Sequence, residues 1–286
     1  MSGNLEKKTA KIVSQLLRNL EKVLEADVFT FYGPIVNGIE GTVKEIIEAL
    51  HKHKDKHDSI YVILTTPGGS LPPVQRIVDI LRRFYTEVNF IIPDYAFSAG
   101  TILCMSGDNI YMNYYSCLGP VDPQVQNKEG KLVAALGYLD KIGELLEKAK
   151  NGTLTQAEFL ILKDFDLAEL RSYEQAKELA IDMLQTWLVK YKFKTWEYHS
   201  NGNTVKQEEK EDRAYKIAEM LSDNKRWKTH NRPIGIQVLK DDLKLQILDY
   251  EEDSKKKEAI NEYYDLISEY IKSHNYGNFF HTRLFI

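Results

Sequence analysis

The sequence predicts an α/β fold with a mostly parallel sheet, followed by a largely helical extension, and two observations predict it. From Asp27 to about Val125, short apolar runs rich in β-branched and aromatic residues alternate with stretches of helical periodicity, the mark of βαβ units. After about residue 126 the alternation stops and long, charged, amphipathic patterns take over.

The elements come in order along the chain. Leu5, Ile12, Val13, Leu16, Leu17, Leu20 and Leu24 recur at helical spacing and predict an amphipathic helix over residues 4–25, packed on the body or on another subunit. Glu6, Lys7, Lys8, Lys11 and Arg18 interrupt any apolar signal-peptide core. Strands are expected at Val28–Tyr32, Ile60–Thr65, Val88–Ile92 and Asn109–Met112, with helices at Gly41–His51, Pro73–Tyr85 and Ser98–Met105 between them. Ligands bind at the carboxyl ends of such strands, so the loops after Thr65 and Ile92 matter most. Helices are then expected at Leu136–Lys150, Thr155–Lys163, Ala168–Lys190 and Thr204–Leu221. Thr155/Glu158 and Thr204/Gln207 are each spaced as a capping box. A short strand at Lys244–Ile247 and a helix at Lys255–His274 complete the pattern. The expected organisation is an N-terminal helix (1–25), a core carrying the site (26–150) and a helical extension packed on it (151–286).

With 286 residues, 43% hydrophobic and 28% charged, the chain holds enough apolar material for a sizeable core, which excludes wholesale disorder and collagen-like or disulfide-stapled designs. A net charge of −4 is the wrong sign for a generic phosphate-backbone binder, so no nucleic-acid partner is expected. Cys104 and Cys117 are the only cysteines, which suits a reducing compartment and predicts a cytoplasmic location. The uncharged stretch Tyr95–Gly107 falls short of the roughly 18 apolar residues a membrane span needs.

Two junctions depart from the plain pattern. In Thr65-Thr66-Pro67-Gly68-Gly69-Ser70-Leu71, adjacent glycines at a strand exit let the backbone turn sharply and leave bare N–H groups there, as an oxyanion hole or a phosphate cradle requires. An ordinary tight turn is the plain alternative. In Asp94-Tyr95-Ala96-Phe97-Ser98-Ala99-Gly100-Thr101, a serine among small residues begins a helix whose positive end favours a developing oxyanion. This is nucleophile-elbow logic without the G-x-S-x-G signature, and a simple serine N-cap is the alternative. Between Gly69 and Ser98 there is room for one helix and one strand, so neighbouring strand ends would share a crevice. A third exit, Ser116-Cys117-Leu118-Gly119-Pro120-Val121-Asp122-Pro123-Gln124, lies beyond.

Thr66-Pro67-Gly68-Gly69, Ala96-Phe97-Ser98-Ala99-Gly100-Thr101, Asp108-Asn109-Ile110-Tyr111-Met112 and Leu118-Gly119-Pro120-Val121-Asp122-Pro123-Gln124 together resemble, in order and spacing, the serine dehydrogenase proteinase family. That family lies in the Clp protease/crotonase superfamily and is related to signal peptide peptidase A. Trp227-Lys228-Thr229-His230 extends the likeness more weakly. The resemblance implies a Clp/crotonase-like core of ββα units and an ATP-independent, cofactor-free and metal-free serine peptidase acting on peptides or proteins, with the homo-oligomeric habit of the Clp fold. By motif, Ser98 matches the nucleophile, while the amides of Gly68 or Gly69 and of Ala99 match the oxyanion hole.

The base is where the pattern departs. Clp proteases carry a histidine in the segment that here reads Leu118-Gly119-Pro120-Val121-Asp122-Pro123, so the likeness points to the Ser-Lys arrangement of the signal peptide peptidase branch. Lys141, 43 residues after Ser98, matches that interval and borders the apolar face of its helix. A neutral lysine near pH 7.5 requires a pKa drop worth roughly 4 kcal/mol and hence desolvation. Lys131 is a further lysine candidate. His230 is the rival base, with a capping or packing role as its alternative. Asp122 could orient a base or simply shape a turn. A scaffold that has lost catalysis, or crotonase-like acyl-CoA chemistry, stays open beside the peptidase reading.

Other groups read as structural. His51, His53 and His57 suit no single metal-binding helix face and mark a solvated helix end. Lys190, Lys192 and Lys194, interleaved with Tyr191, Phe193 and Trp196, read as a helix C-terminus with aromatic packing rather than a nucleic-acid site. Cys104, well inside its helix, reads as core.

Overall fold

The computed structural model describes the backbone of residues 2–127 and 129–285, and the side chains of residues 8–127, 129–131 and 133–285. Helix α1 (Ser2–Leu24) leads into β1 (Asp27–Tyr32), α2 (Ile39–Lys52), β2 (Ser59–Thr65), α3 (Leu71–Phe84), β3 (Glu87–Ile91), β4 (Tyr95–Ala96), α4 (Ala99–Met105) and β5 (Asn109–Met112). Then come β6 (Cys117–Leu118), β7 (Gln124–Gln126), β8 (Leu132–Ala134), α5 (Ala135–Lys150), α6 (Gln156–Lys163), α7 (Leu167–Trp187) and α8 (Gln207–Leu221). The chain closes with α9 (Asn224–Trp227), β9 (Ile234–Gly235), α10 (Ile236–Asp241), β10 (Leu248–Asp249), α11 (Ser254–Ser273) and β11 (Phe279–His281).

The main sheet runs β10-β5-β3-β2-β1-β11. Its pairings are parallel except β1 with β11. Alternation along each strand sends side chains to opposite faces. Phe29, Phe31, Ile60, Val62, Leu64, Val88 and Phe90 share one core with α2, α3, α4, α7 and α8. Val28, Tyr61, Ile63 and Ile91 face a second core built by α1 and α11. The α/β architecture with a mostly parallel sheet is therefore as expected.

The segment 151–286 is more than a layer on the outside. Its strands β10 and β11 close both edges of the sheet, and α11 joins α1 over one face. Val13, Leu17, Leu20 and Leu24 of α1 are buried there, whereas Ile12 is exposed and the Leu5 side chain lies outside the described residues. The expected strand at Lys244–Ile247 forms at Leu248–Asp249 instead. Alternating Leu243, Leu245 and Ile247 are buried in the core without a ladder, which gives the strand-like periodicity its actual use. Thr155 and Glu158 do form a capping box. At α8 the expected box does not form: Thr204 is held in an antiparallel bridge with Tyr198, and the helix starts after Lys206, whose N–H donates to Glu209 Oε2 at 2.9 Å. Helix α7 stops at Trp187 and continues as a π-helical turn, Leu188–Lys192. Among the described residues no helix is long and apolar enough to cross a membrane.

Polar ties bind the C-terminal segment to the sheet. Arg283 pairs with Glu21 at 2.7 Å and Asp27 at 2.8 Å, all three side chains being buried. The Tyr263 hydroxyl lies 2.6 Å from that of Thr30 and 2.8 Å from His281 Nδ1. Burial pushes the His281 imidazole down to about 4 from its ordinary 6.5. The unfolded chain therefore takes up a proton that the folded one refuses. The resulting stability is present above pH 6.5 and is lost as pH falls toward 4, by on the order of 3 kcal/mol. Urea unfolding across that window should show a smaller acid loss in His281→Gln than in the wild type. Equal losses would mean that His281 does not drive the effect.

Candidate active site

Three chain segments lie side by side where strands leave the sheet. Thr66, just past β2, bridges Ala96 in parallel, with Thr66 N–H donating to Tyr95 O at 3.1 Å and Phe97 N–H to Thr66 O at 3.0 Å. Strand β4 pairs in parallel with β6, and β6 pairs antiparallel with β9. The Thr101 hydroxyl, 2.9 Å from the Ala96 carbonyl and 2.8 Å from that of Gly119, ties α4 to two of these exits.

Ser98 sits at the junction, one residue ahead of α4 rather than in its first turn. Its backbone is at φ 53° and ψ −115°, a sparsely populated conformation for a residue with a side chain, costing roughly 1–3 kcal/mol. The side chain makes no capping bond to the helix, so the simple N-cap role is not what Ser98 performs. The buried hydroxyl instead donates to the Asp122 carbonyl over 3.4 Å, a long and easily exchanged contact.

The glycine loop makes this elbow possible. Gly68 has φ +95°, and a Cβ there would stand 2.8 Å from the Ser98 Cβ and 2.6 Å from Phe97 O. Gly69, at φ +147°, packs on Ile35 so closely that a Cβ would meet its carbonyl oxygen at 2.1 Å. The Gly68 amide donates to the Thr66 hydroxyl at 3.1 Å, which removes it from the expected donor pair. The amides of Gly69 and Ala99 have no acceptor among the described residues. Ala99 N–H is one of the orphan donors every helix leaves at its start. Two unengaged N–H groups thus flank a strained serine, the arrangement that stabilises a tetrahedral oxyanion.

These motifs belong to a wider match. Residues 6–270 match the family described as ClpP-like SDH-type serine proteinase. The chain belongs to that family. One uncharacterized protein of Methanocaldococcus jannaschii is 28% identical over 199 residues, spanning 69% of this chain and 56% of its own length. Another from the same organism is 29% identical over 141 residues, 46% of this chain and 47% of its own. The chain thus spans about half the length of these curated relatives.

Within this member of the family, the two candidate bases stand differently. Lys141 is exposed over 57% of its side chain and donates to Glu144 at 3.0 Å on the same helix. A solvated, ion-paired ammonium has neither the desolvation nor the freedom a general base needs, and no hydrogen bond joins Lys141 to Ser98 among the described residues. Lys131 is likewise exposed, and paired with Glu129.

His230 stands differently. Leu118 pairs with Ile234, and His230, in the turn ahead of Ile234, lies near enough to Asp122 to act on its carboxyl electrostatically. Asp122 is 4% exposed, and its Oδ1 accepts the Leu136 N–H at 3.0 Å at the start of α5. Burial pushes the Asp122 carboxyl up, while that amide and nearby His230 pull it down. His230 Nδ1 is buried with no hydrogen-bond partner among the described residues. The sequence offered Asp122 and His230 as separate candidates. Their proximity is tertiary, and the two-residue strand β9 that follows His230 is too short to leave a periodic signal.

Cys104 is fully buried and its thiol pushed far above the ordinary range by burial, so it is core as expected. The His51 ring lies tilted against that of Phe84, with centroids 4.9 Å apart, and His53 ends α2.

Gly68→Ala should strike the serine directly. We expect a loss of about 1–3 kcal/mol in urea unfolding and loss of fluorophosphonate labelling at Ser98. Full labelling at wild-type stability would show that the close approach is dispensable.

Proposed function

We propose that the chain is a serine peptidase that hydrolyses peptide bonds through an acyl-enzyme, with Ser98 as nucleophile, His230 as base and Asp122 orienting it. The observation that carries this reading is the Ser98 elbow flanked by the unengaged amides of Gly69 and Ala99.

In this reading the Ser98 hydroxyl turns from the Asp122 carbonyl to His230, gives up its proton, and bonds to the scissile carbonyl carbon. The oxyanion forms against Gly69 and Ala99 N–H, where one such donor is typically worth about 2.7–4 kcal/mol. His230 then protonates the leaving amine as the C–N bond breaks. Water, deprotonated by the same imidazole, releases the acyl group and restores Ser98. A histidine suits this duty because its ordinary pKa already lies near neutrality, whereas a lysine must first be desolvated.

The substrate fits as an extended strand. Strands β7 and β8 form a two-stranded sheet of their own just beyond Asp122, and Gln124 and Gln126 of β7 are exposed, which supports β-augmentation beside the site. Assembly with further copies belongs to the same reading. Helix α6 buries none of its residues, and Phe159, Leu160 and Ile161 are each more than half exposed, an apolar surface that a second copy would cover.

A fluorophosphonate probe tests the reading. It should label the wild type and Lys141→Ala at similar rates, label His230→Ala at least about 100-fold more slowly, and leave Ser98→Ala unlabelled. Folded wild-type protein that resists labelling between about pH 6 and 9 would favour a scaffold without catalysis. Labelling that survives in His230→Ala but vanishes in Lys141→Ala would return the base to lysine.

A further inference from the structure

A cavity of about 410 Å³ lies apart from the serine, lined by Lys192, Arg213 and Lys244 together with Phe193, Trp196 and Gln246. Its floor adjoins the far end of α4: the Lys192 ammonium donates to the main-chain carbonyl of Asp108, three residues past that helix, at 3.3 Å.

The three cations share no carboxylate among the lining residues, in a chain whose net charge is −4. Lys192 is 7% exposed. The carboxylates nearby already have partners: Asp108 is occupied by Arg82 at 2.7 Å and by Lys194, and Asp212, which acts on Arg213, by Lys216 at 2.6 Å. Burial pushes the Lys192 ammonium down to about 8 against the opposing pull of Asp108. Arg213, half-buried, spends part of its fork on the Leu243 carbonyl. Lys244 stands at φ 51°, a left-handed conformation that bulky residues seldom adopt.

The backbone that presents Lys192 is itself unusual. The π-helical turn Leu188–Lys192 closes with Phe193 N–H donating to Leu188 O at 2.8 Å, and such insertions recur at functional sites. The same turn places Phe193 edge-on to Trp196, with ring centroids 5.6 Å apart, as an apolar wall.

We propose that this cavity binds a small phosphate ester carrying a flat ring, of nucleoside monophosphate size. Three convergent cations suit a dianion better than a single carboxylate does, and the aromatic wall accepts the ring. The volume lies in the range of small-molecule sites and gives no continuous track for a polymer.

Isothermal titration of the full chain with adenosine 5′-monophosphate, inorganic phosphate and adenosine tests the proposal. The monophosphate should bind at least about tenfold more tightly than either fragment. Lys244→Glu, a reversal at the exposed rim, should weaken it at least about tenfold, as should Lys192→Met, each checked for an unchanged fold by circular dichroism. Ser98→Ala should bind as the wild type does, separating this site from the proposed peptidase chemistry. No binding by about 10 mM, equal affinity for inorganic phosphate, or undiminished binding by Lys244→Glu would overturn the proposal.

Discussion

The approach of the Gly68 backbone to the Ser98 side chain is the constraint on which the site depends. With no Cβ at Gly68, the loop after β2 lies against the elbow before α4 closely enough to hold Ser98 at positive φ. The strain is sustained because three strand exits are stitched together around it; a local conformation worth a few kcal/mol persists only when its surroundings over-determine it. The same contact leaves the Gly69 amide open while Thr66 takes that of Gly68. One missing methyl group therefore sets both the position of the hydroxyl and the choice of donor beside it.

Much of this was legible in the residues. Alternation between β-branched runs and helical periodicity revealed the four inner strands, since each strand face meets a different core. The glycine pair and the Ser98 segment stood out because their composition is local. What the sequence concealed is long-range. Strands β10 and β11 are two and three residues long, so their places at the sheet edges come from tertiary pairing. The approach of His230 to Asp122, more than a hundred residues apart in the chain, is likewise tertiary.

Lysines illustrate the same limit. Spacing after Ser98 and a place beside an apolar stripe singled out Lys141, yet that side of α5 is open and Glu144 answers the charge. Lys192 looked like an ordinary cation at a helix end, and its side chain is buried. The difference lies in a π-helical turn that adds a residue to the last coil of the helix and rotates the side chains beyond it. Periodicity arguments assume a constant angle per residue and cannot see such a shift.

The edge strands also bear on how the chain reaches its fold. Thr30 pairs with His281, a contact spanning nearly the whole sequence, and β5 waits for Leu248 and Asp249 before its outer side is covered. During synthesis the parallel centre of the sheet emerges long before either border, with open hydrogen-bonding groups on both sides. Loop closure over such separations is slow. The segment that carries Ser98 thus precedes both borders of the sheet in the chain. Strand β11 then joins the two ends of that long separation into one cooperative unit, so a chain cut short ahead of Phe279 would lack an entire border of the sheet.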